Sequence, residues 1–191
     1  MSDTIVLALS PSDKKWLRLV QVLGFSLFIA ACAQIEISLW TFTPVPITGQ
    51  TLGVLMTGAL LGRRWGVIAV LTYLIEGSLG LPFFAGGASG AHFLLGPTGG
   101  YLLGFLPAAW VVGRFAQAGW DRDPFTAALM MGIGSSIILL CGLVGLARFF
   151  PLNQLLSIGV YPFLGGDIIK ICLGAALLPF GWKLVPTSKK R

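Results

Sequence analysis

PFTAALMMGIGSSIILLCGLVGLA, residues 124–147, contains no Asp, Glu, Lys, Arg or His. As a helix rising about 1.5 Å per residue it is long enough to cross a hydrocarbon layer of roughly 30 Å. Its apolar residues run on without the alternation of a barrel strand, and backbone polar groups placed in lipid must be paired inside the segment, so a helix is the form it predicts. Charges resume at once on either side, with Asp121, Arg122 and Asp123 before it and Arg148 after it. The whole chain has this character: 55% of its 191 residues are hydrophobic, 10% are charged, and mean hydropathy is +0.87. Ordinary soluble domains carry about one charged residue in four.

Working outward from that segment, five more spans are predicted: about Leu17–Leu39, Ile47–Gly62, Trp65–Leu81, Gly99–Phe115 and Gly159–Trp182. Pro44 and Pro46 interrupt the chain between the first two, and Arg63 and Arg64 separate the second from the third. Residues 83–97 are apolar yet carry Gly86, Gly87, Gly90 and Gly96. Such a backbone at membrane depth is tolerated where protein buries it or where it lines a cavity. The expectation is an all-α polytopic bundle of six transmembrane helices forming one domain over 1–191, with a tail at 1–15, a basic tail at 183–191 and an outward glycine-rich loop between helices 3 and 4.

Thirteen Lys and Arg against seven Asp and Glu give a net charge of +6. Topology, not nucleic acid, accounts for the excess. With the N-terminus inside, Lys14, Lys15, Arg18, Arg63, Arg64, Arg114, Arg122, Lys183, Lys189, Lys190 and Arg191 fall on the cytoplasmic side, and Arg148 alone falls opposite. Basic loops are retained in the cytoplasm, so both termini are expected there. Cys32, Cys141 and Cys172 lie in apolar stretches without metal-ligand spacing and read as reduced packing residues. The run Ile29-Ala30-Ala31-Cys32 has the look of a lipoprotein cleavage site, but apolar character continues beyond it, as in a spanning helix. Gly58 with Gly62 and Gly100 with Gly104 have the four-residue spacing that lets helices approach closely.

Ionisable residues inside a membrane are costly and are therefore candidates for function. Glu36, Glu76, His92, Asp167 and Lys170 all fall in the outer half of the predicted bundle, which argues for a pocket open to the outside. Asp167 and Lys170 are three apart and share a helix face; they form either a neutralising ion pair or a ligand site. Gly165 and Gly166 precede them. Glu36 reads as interfacial, and Glu76 as protonated or paired with Lys170 or His92. His92 lacks a second metal ligand nearby. Trp40, Phe42, Phe83, Phe84, Phe93 and Tyr161 form an outer aromatic belt, some of it available to wall a pocket. No phosphate-binding loop, nucleophile elbow or zinc-protease motif occurs. No enzyme activity, cofactor or metal is expected.

Three longer strings are more specific: PVPITGQTLGVLMTGALLG (44–62), GLPFFAGGASGAHFLLGPTGGYLLGF (80–105) and YPFLGGDIIK (161–170). In order and spacing they closely resemble the BioY family, the biotin-binding S components of energy-coupling factor (ECF) transporters. The resemblance implies a six-helix subunit that captures biotin from outside. It also implies partners, a transmembrane coupling subunit and two cytoplasmic ATPases. It assigns the ligand to the glycine segment, including Gly86 and Gly87, and to Gly166, Asp167 and Lys170, with Tyr161 in the same string. Some relatives carry an Asn in the glycine segment and an Arg after Gly-Gly-Tyr. Here Ala88 and Leu102 stand there, which turns attention to Gln50. The family's Ala-x-x-x-Ala coupling surface has its nearest match in Ser26 and Ala30. Two other readings remain: a stand-alone proton-coupled vitamin transporter relaying through Glu36, Glu76 and Asp167, and a membrane-embedded enzyme.

Overall fold

The computed structural model describes residues 4–6, 15–37 and 43–185. Trp40, Phe42, Leu39, Lys14 and the basic residues after 185 lie outside them. The long elements are α1 (Lys15–Ala33), the helical stretch Gln50–Ser78, α5 (Gly99–Ala116), α6 (Pro124–Leu146) and α8 (Tyr161–Lys183), with short helices α4 (His92–Leu95) and α7 (Leu155–Gly159) between them. Four stretches have the length and apolarity of a membrane span: Lys15–Ala33, Gln50–Ser78, Pro124–Leu146 and Leu152–Lys183.

Gln50–Ser78 is not one rod. Gly62 has φ +78°, a conformation that L side chains resist, and the chain reverses there. A Cβ on Gly66 would lie 2.9 Å from the Gly58 Cα, whereas a straight helix would hold those residues about 12 Å apart. The Gln50 side chain likewise donates to the Tyr73 hydroxyl, 23 residues on. The stretch is thus a hairpin of α2 (50–61) and α3 (63–78), turning where the sequence places a break. Gly62 serves the turn rather than a helix crossing. Gly58 does make one, against the Ala109 backbone, as Gly100 does against Gly145 and Gly104 against Cys141.

The first span is shorter than expected. Helix α1 stops at Ala33, and the chain becomes a strand, β1 (Glu36–Ile37), paired antiparallel with β2 (Ile47–Thr48) in the register Glu36 to Thr48 and Ile37 to Ile47. Leaving the helix early lets Ile35 carbonyl accept from Gly49 N–H and brings the chain back over the start of α2. Glu36 therefore belongs to a ribbon, not to a helix end. Helix α5 packs between the hairpin and α6, and the core runs through Ile29, Val54, Leu55, Tyr73, Val112, Met130 and Ile138. Leu19, Leu23 and Leu27 of α1 and Ile168, Ile169 and Leu177 of α8 are exposed on the periphery, the faces a lipid phase would solvate.

The two ends of the bundle differ. At one, Gly62 meets Gln117 and Thr4, Gly113 meets Arg63, and Gly181 meets Ile5, so Lys15, Arg18, Arg63, Arg64, Arg114, Arg122 and Lys183 gather at that basic end. Asp121, in the α5–α6 connection, is fully buried; its Oδ2 accepts from Trp182 Nε1 at 2.7 Å, while Oδ1 has no partner among the described residues. Burial pushes this carboxyl up to about 6 from 3.8, against the lowering effect of the Trp182 bond and Arg122. The folded state then holds the proton more tightly than the unfolded chain, so this contribution to stability is complete below pH 3.8 and is lost as pH rises through 6. The difference amounts to about 3 kcal/mol. Asp121→Asn, which keeps an acceptor for Trp182, is expected to raise the melting temperature above pH 6.5 and to flatten its decline between pH 4 and 6.5, as measured on detergent-purified protein.

Candidate ligand-binding site

The opposite end of the bundle encloses a cavity of about 290 Å³. Its polar side begins with α8. Asp167 is 6% exposed, and the one-turn spacing to Lys170 lets Nζ reach Asp167 Oδ1 at 3.2 Å. Neither group is left to the other alone. Ser135 Oγ of α6 donates to Asp167 Oδ2 at 2.6 Å, and Lys170 Nζ donates to Thr51 Oγ1 of α2 at 2.9 Å. One polar cluster thus ties α2, α6 and α8 together. A buried ion pair persists only when further hydrogen bonds offset its desolvation, which these two hydroxyls supply. The ammonium has three donors and spends two here. The third is available to a ligand oxygen.

A second polar group lies on the hairpin. Thr48 Oγ1 donates to Gln50 Oε1 at 3.0 Å, the Gln50 amide donates to Tyr73 OH, and that hydroxyl donates to the Phe83 carbonyl at 3.2 Å. The chain of bonds joins β2 and the start of α2 to the glycine-rich segment after α3. That segment is an ordered cover. Gly90 N–H donates to the Gly77 carbonyl, Phe84 N–H to the Ala88 carbonyl, and the Gln34 amide reaches the Ala30 and Phe84 carbonyls. Gly86, with φ +63°, brings the backbone against Glu36, whose Oε1 would be 2.9 Å from any Cβ there. Glu36 and Thr98 also line the cavity, and the remaining wall is apolar and aromatic: Val45, Phe84, Phe93, Leu102, Phe105, Ile138 and Phe163, with the Tyr101 and Phe163 ring centroids 5.7 Å apart.

Of the residues predicted to meet a ligand, Asp167, Lys170, Gln50, Gly86 and Ala88 line the cavity together. Gly166 and Gly87 flank it. A Cβ on Gly166 would touch Ile47 at 3.3 Å, and Gly87 has only Gln34 within 4 Å. Tyr161 stands outside, 61% exposed at the start of α8, and Tyr101 of α5 occupies the interior with its hydroxyl on the Gly159 carbonyl at 2.7 Å. Glu76 pairs with neither Lys170 nor His92. It accepts from Ser26 Oγ between α3 and α1, because the hairpin turns that face of α3 toward α1. The His92 ring lies against Phe93, tilted by 42° with centroids 4.4 Å apart, and does not line the cavity.

Ser135, Thr51 and Tyr101 were not singled out in the sequence. A serine in an apolar helix can bond its own backbone four residues back, and adjacent Ser136 does so with the Gly132 carbonyl. Nothing in the sequence separates the two serines. Only the position of α8 beside α6 selects Ser135.

Helices of membrane-spanning length around a small, largely apolar cavity with a few fixed polar groups define a polytopic membrane protein built to hold a small molecule. Residues 8–187 match the BioY family. The chain is 37% identical over 155 residues to the biotin transporter BioY of Thermotoga maritima, covering 80% of this chain and 88% of that protein. It is 36% identical over 157 residues to the biotin transporter BioY of Rhizobium etli, covering 76% and 83%. Among solved structures, the crystal structure of the S-component for biotin from an ECF-type ABC transporter is similar at a TM-score of 0.80 and 28% identity, over 92% of this chain and 96% of that one. The chain belongs to the BioY family.

Proposed function

We propose that this chain is the biotin-capturing S component of an ECF-type transporter. One observation carries the reading: the three strings that resemble the family, far apart in sequence, supply nearly the whole wall of a single cavity. Pro44 to Thr51 come from the first, Phe84 to Phe105 from the second, and Phe163, Asp167 and Lys170 from the third.

The chemistry of biotin suits this wall. Its ureido group has two N–H donors and one carbonyl acceptor, its thiophane ring is apolar, and its tail ends in a carboxylate. Asp167, each oxygen holding one internal partner, keeps lone pairs for a ureido N–H. Lys170 directs its third N–H to a ligand oxygen. Phe84, Phe93, Phe105, Tyr101 and Phe163 cover the ring. Glycines 86, 87 and 166 let backbone approach at the rim. Tyr161, exposed and outside the cavity lining, is not assigned a ligand contact.

The reading also places the bundle in a prokaryotic plasma membrane with six crossings, the hairpin counting as two, both termini in the cytoplasm and the cavity facing outward. The gathering of basic residues at the end away from the cavity supports this orientation. A transmembrane coupling subunit and two cytoplasmic ATPases would supply the energy. A proton relay through Glu36, Glu76 and Asp167 is disfavoured, since Glu76 is bonded to Ser26 outside the cavity. Proteoliposomes test the choice. The chain alone, under an inward proton gradient, is expected to bind labelled biotin without accumulating it, and accumulation is expected on adding the coupling module with internal ATP. Gradient-driven accumulation by the chain alone would establish the stand-alone transporter instead.

A further inference from the structure

At the basic end, opposite the biotin cavity, a second hollow of about 530 Å³ lies between the start of α6 and the end of α8. Its rim carries two cations, Arg122 and Lys183, both exposed. Its floor is apolar: Pro124 from α6 and Ala176, Pro179 and Phe180 from α8. We propose that this groove binds an anionic phospholipid, with the phosphate between Arg122 and Lys183 and an acyl chain laid along Ala176, Pro179 and Phe180.

The geometry supports a built site rather than two loose surface charges. The Arg122 guanidinium sits 4.5 Å over the Trp182 ring, and Trp182 is itself fixed by its Nε1 bond to buried Asp121 Oδ2. The cation is therefore held at the groove edge at small entropic cost. Of the two nearby acids, Asp121 feels the Arg122 charge from a buried position, and neither lies in the groove. Asp121 is fully buried at the edge of the indole, accepting its N–H, and Asp123 caps α6, its Oδ2 accepting from Phe125 and Thr126 N–H at 3.0 and 3.1 Å.

The occupant follows from the surroundings. The groove opens on the faces of two stretches long and apolar enough to span a membrane, so its apolar floor looks into the acyl region while both cations reach the headgroups. Long basic side chains are suited to that division. Pockets of this kind, basic and between transmembrane helices at the end rich in Lys and Arg, suit anionic headgroups. A soluble anion would use the charges but leave the floor bare. The inference depends on membrane residence alone and not on which molecule the opposite cavity takes.

Native mass spectrometry of the purified full chain tests it, with phosphatidylglycerol and phosphatidylcholine added in equal amounts and a cooperative thermal melt recorded in parallel to report an intact fold. The wild type is expected to retain phosphatidylglycerol in preference to phosphatidylcholine. Arg122→Gln and Lys183→Gln are each expected to weaken that retention about fivefold, and the double variant about 30-fold. A control with Lys15→Gln and Arg64→Gln, which removes the same charge from the same end outside the groove, is expected to retain the lipid as the wild type does. If Arg122→Gln fails to fold, Lys183→Gln alone, which leaves the stack on Trp182 in place, carries the test. Equal retention of the two lipids, an equal loss in the control, or displacement of the lipid by millimolar inorganic phosphate would overturn the proposal. So would groove variants that keep phosphatidylglycerol but lose the coupling subunit, since the groove would then be a protein interface.

Discussion

Asp167→Asn and Lys170→Ala are each expected to weaken biotin binding by about 2–5 kcal/mol, the loss typical of truncating one partner in a buried, hydrogen-bonded charge pair. The expectation rests on how the two groups are held. Asp167 is tied to Ser135 and Lys170, and Lys170 to Asp167 and Thr51, so removing either charge exposes its partner to an uncompensated burial as well as deleting a ligand contact. In Asp167→Asn the ammonium keeps Thr51 but loses its counter-charge. In Lys170→Ala the carboxylate keeps only the Ser135 hydroxyl.

The apolar replacement of both, Asp167→Leu with Lys170→Met, separates the two components. Replacing a whole buried pair is often neutral for stability, so the double variant is expected to melt near the wild-type temperature while still failing to bind biotin. Ser135→Ala removes one hydrogen bond to a charged acceptor and is expected to cost about 1.5–3 kcal/mol of stability and to weaken biotin binding less than either charge variant does. Equilibrium binding on detergent-purified variants, beside thermal melts without ligand, measures all four. Near-wild-type affinity in both single charge variants would remove Asp167 and Lys170 from the site.

The second large effect concerns the bundle itself. Gly58→Ala would set a Cβ 2.7 Å from the Ala109 carbonyl oxygen and 3.0 Å from its Cα, and Gly100→Ala would set one 2.5 Å from the Cys141 carbonyl oxygen and 2.8 Å from the Gly145 Cα. These neighbours are backbone, so no side chain can turn aside and the helices must separate. Both crossings involve α5, which packs against the hairpin on one side and α6 on the other. Each substitution is expected to destabilise by about 3 kcal/mol, the upper range of overpacking in a dense core. Gly24→Ala is the matched control. None of the described residues lies within 4 Å of its Cβ position on α1, and exchanging glycine for alanine in a helix is worth about 1 kcal/mol in favour of the variant. Thermal melts or the yield of monodisperse protein distinguish the two classes. Equal stability in all three would mean that the close crossings do not hold the bundle together.

Much of this architecture is legible in the sequence, because lipid imposes simple rules. Uninterrupted apolar length marks α6, a long apolar run broken only by Asp167 and Lys170 marks α8, the Arg63-Arg64 pair marks the hairpin turn at Gly62, and basic residues mark one end of the bundle. Asp167 and Lys170 stand out because charges in apolar runs are expensive. Other features depend on three-dimensional neighbours. Glu36 looks like a helix end, but its role depends on α1 stopping at Ala33 to form the ribbon with Ile47 and Thr48. Glu76 looks like a site residue until the hairpin turns it toward Ser26. Tyr161 and Tyr101 are equivalent as tyrosines near the outer end; the surroundings of the α8 start leave one exposed and those of α5 bury the other. Ser135 is one of two adjacent serines, and only the packing of α6 on α8 tells them apart.

Calorimetric titration of the purified chain, without partner subunits, against biotin and against unrelated vitamins such as riboflavin and thiamine tests the central claim most directly. Saturable binding of biotin, with no heat from the others, is the expected result. Failure to bind biotin by protein that melts cooperatively, or equal binding of all three vitamins, would contradict the assignment of this cavity to biotin capture.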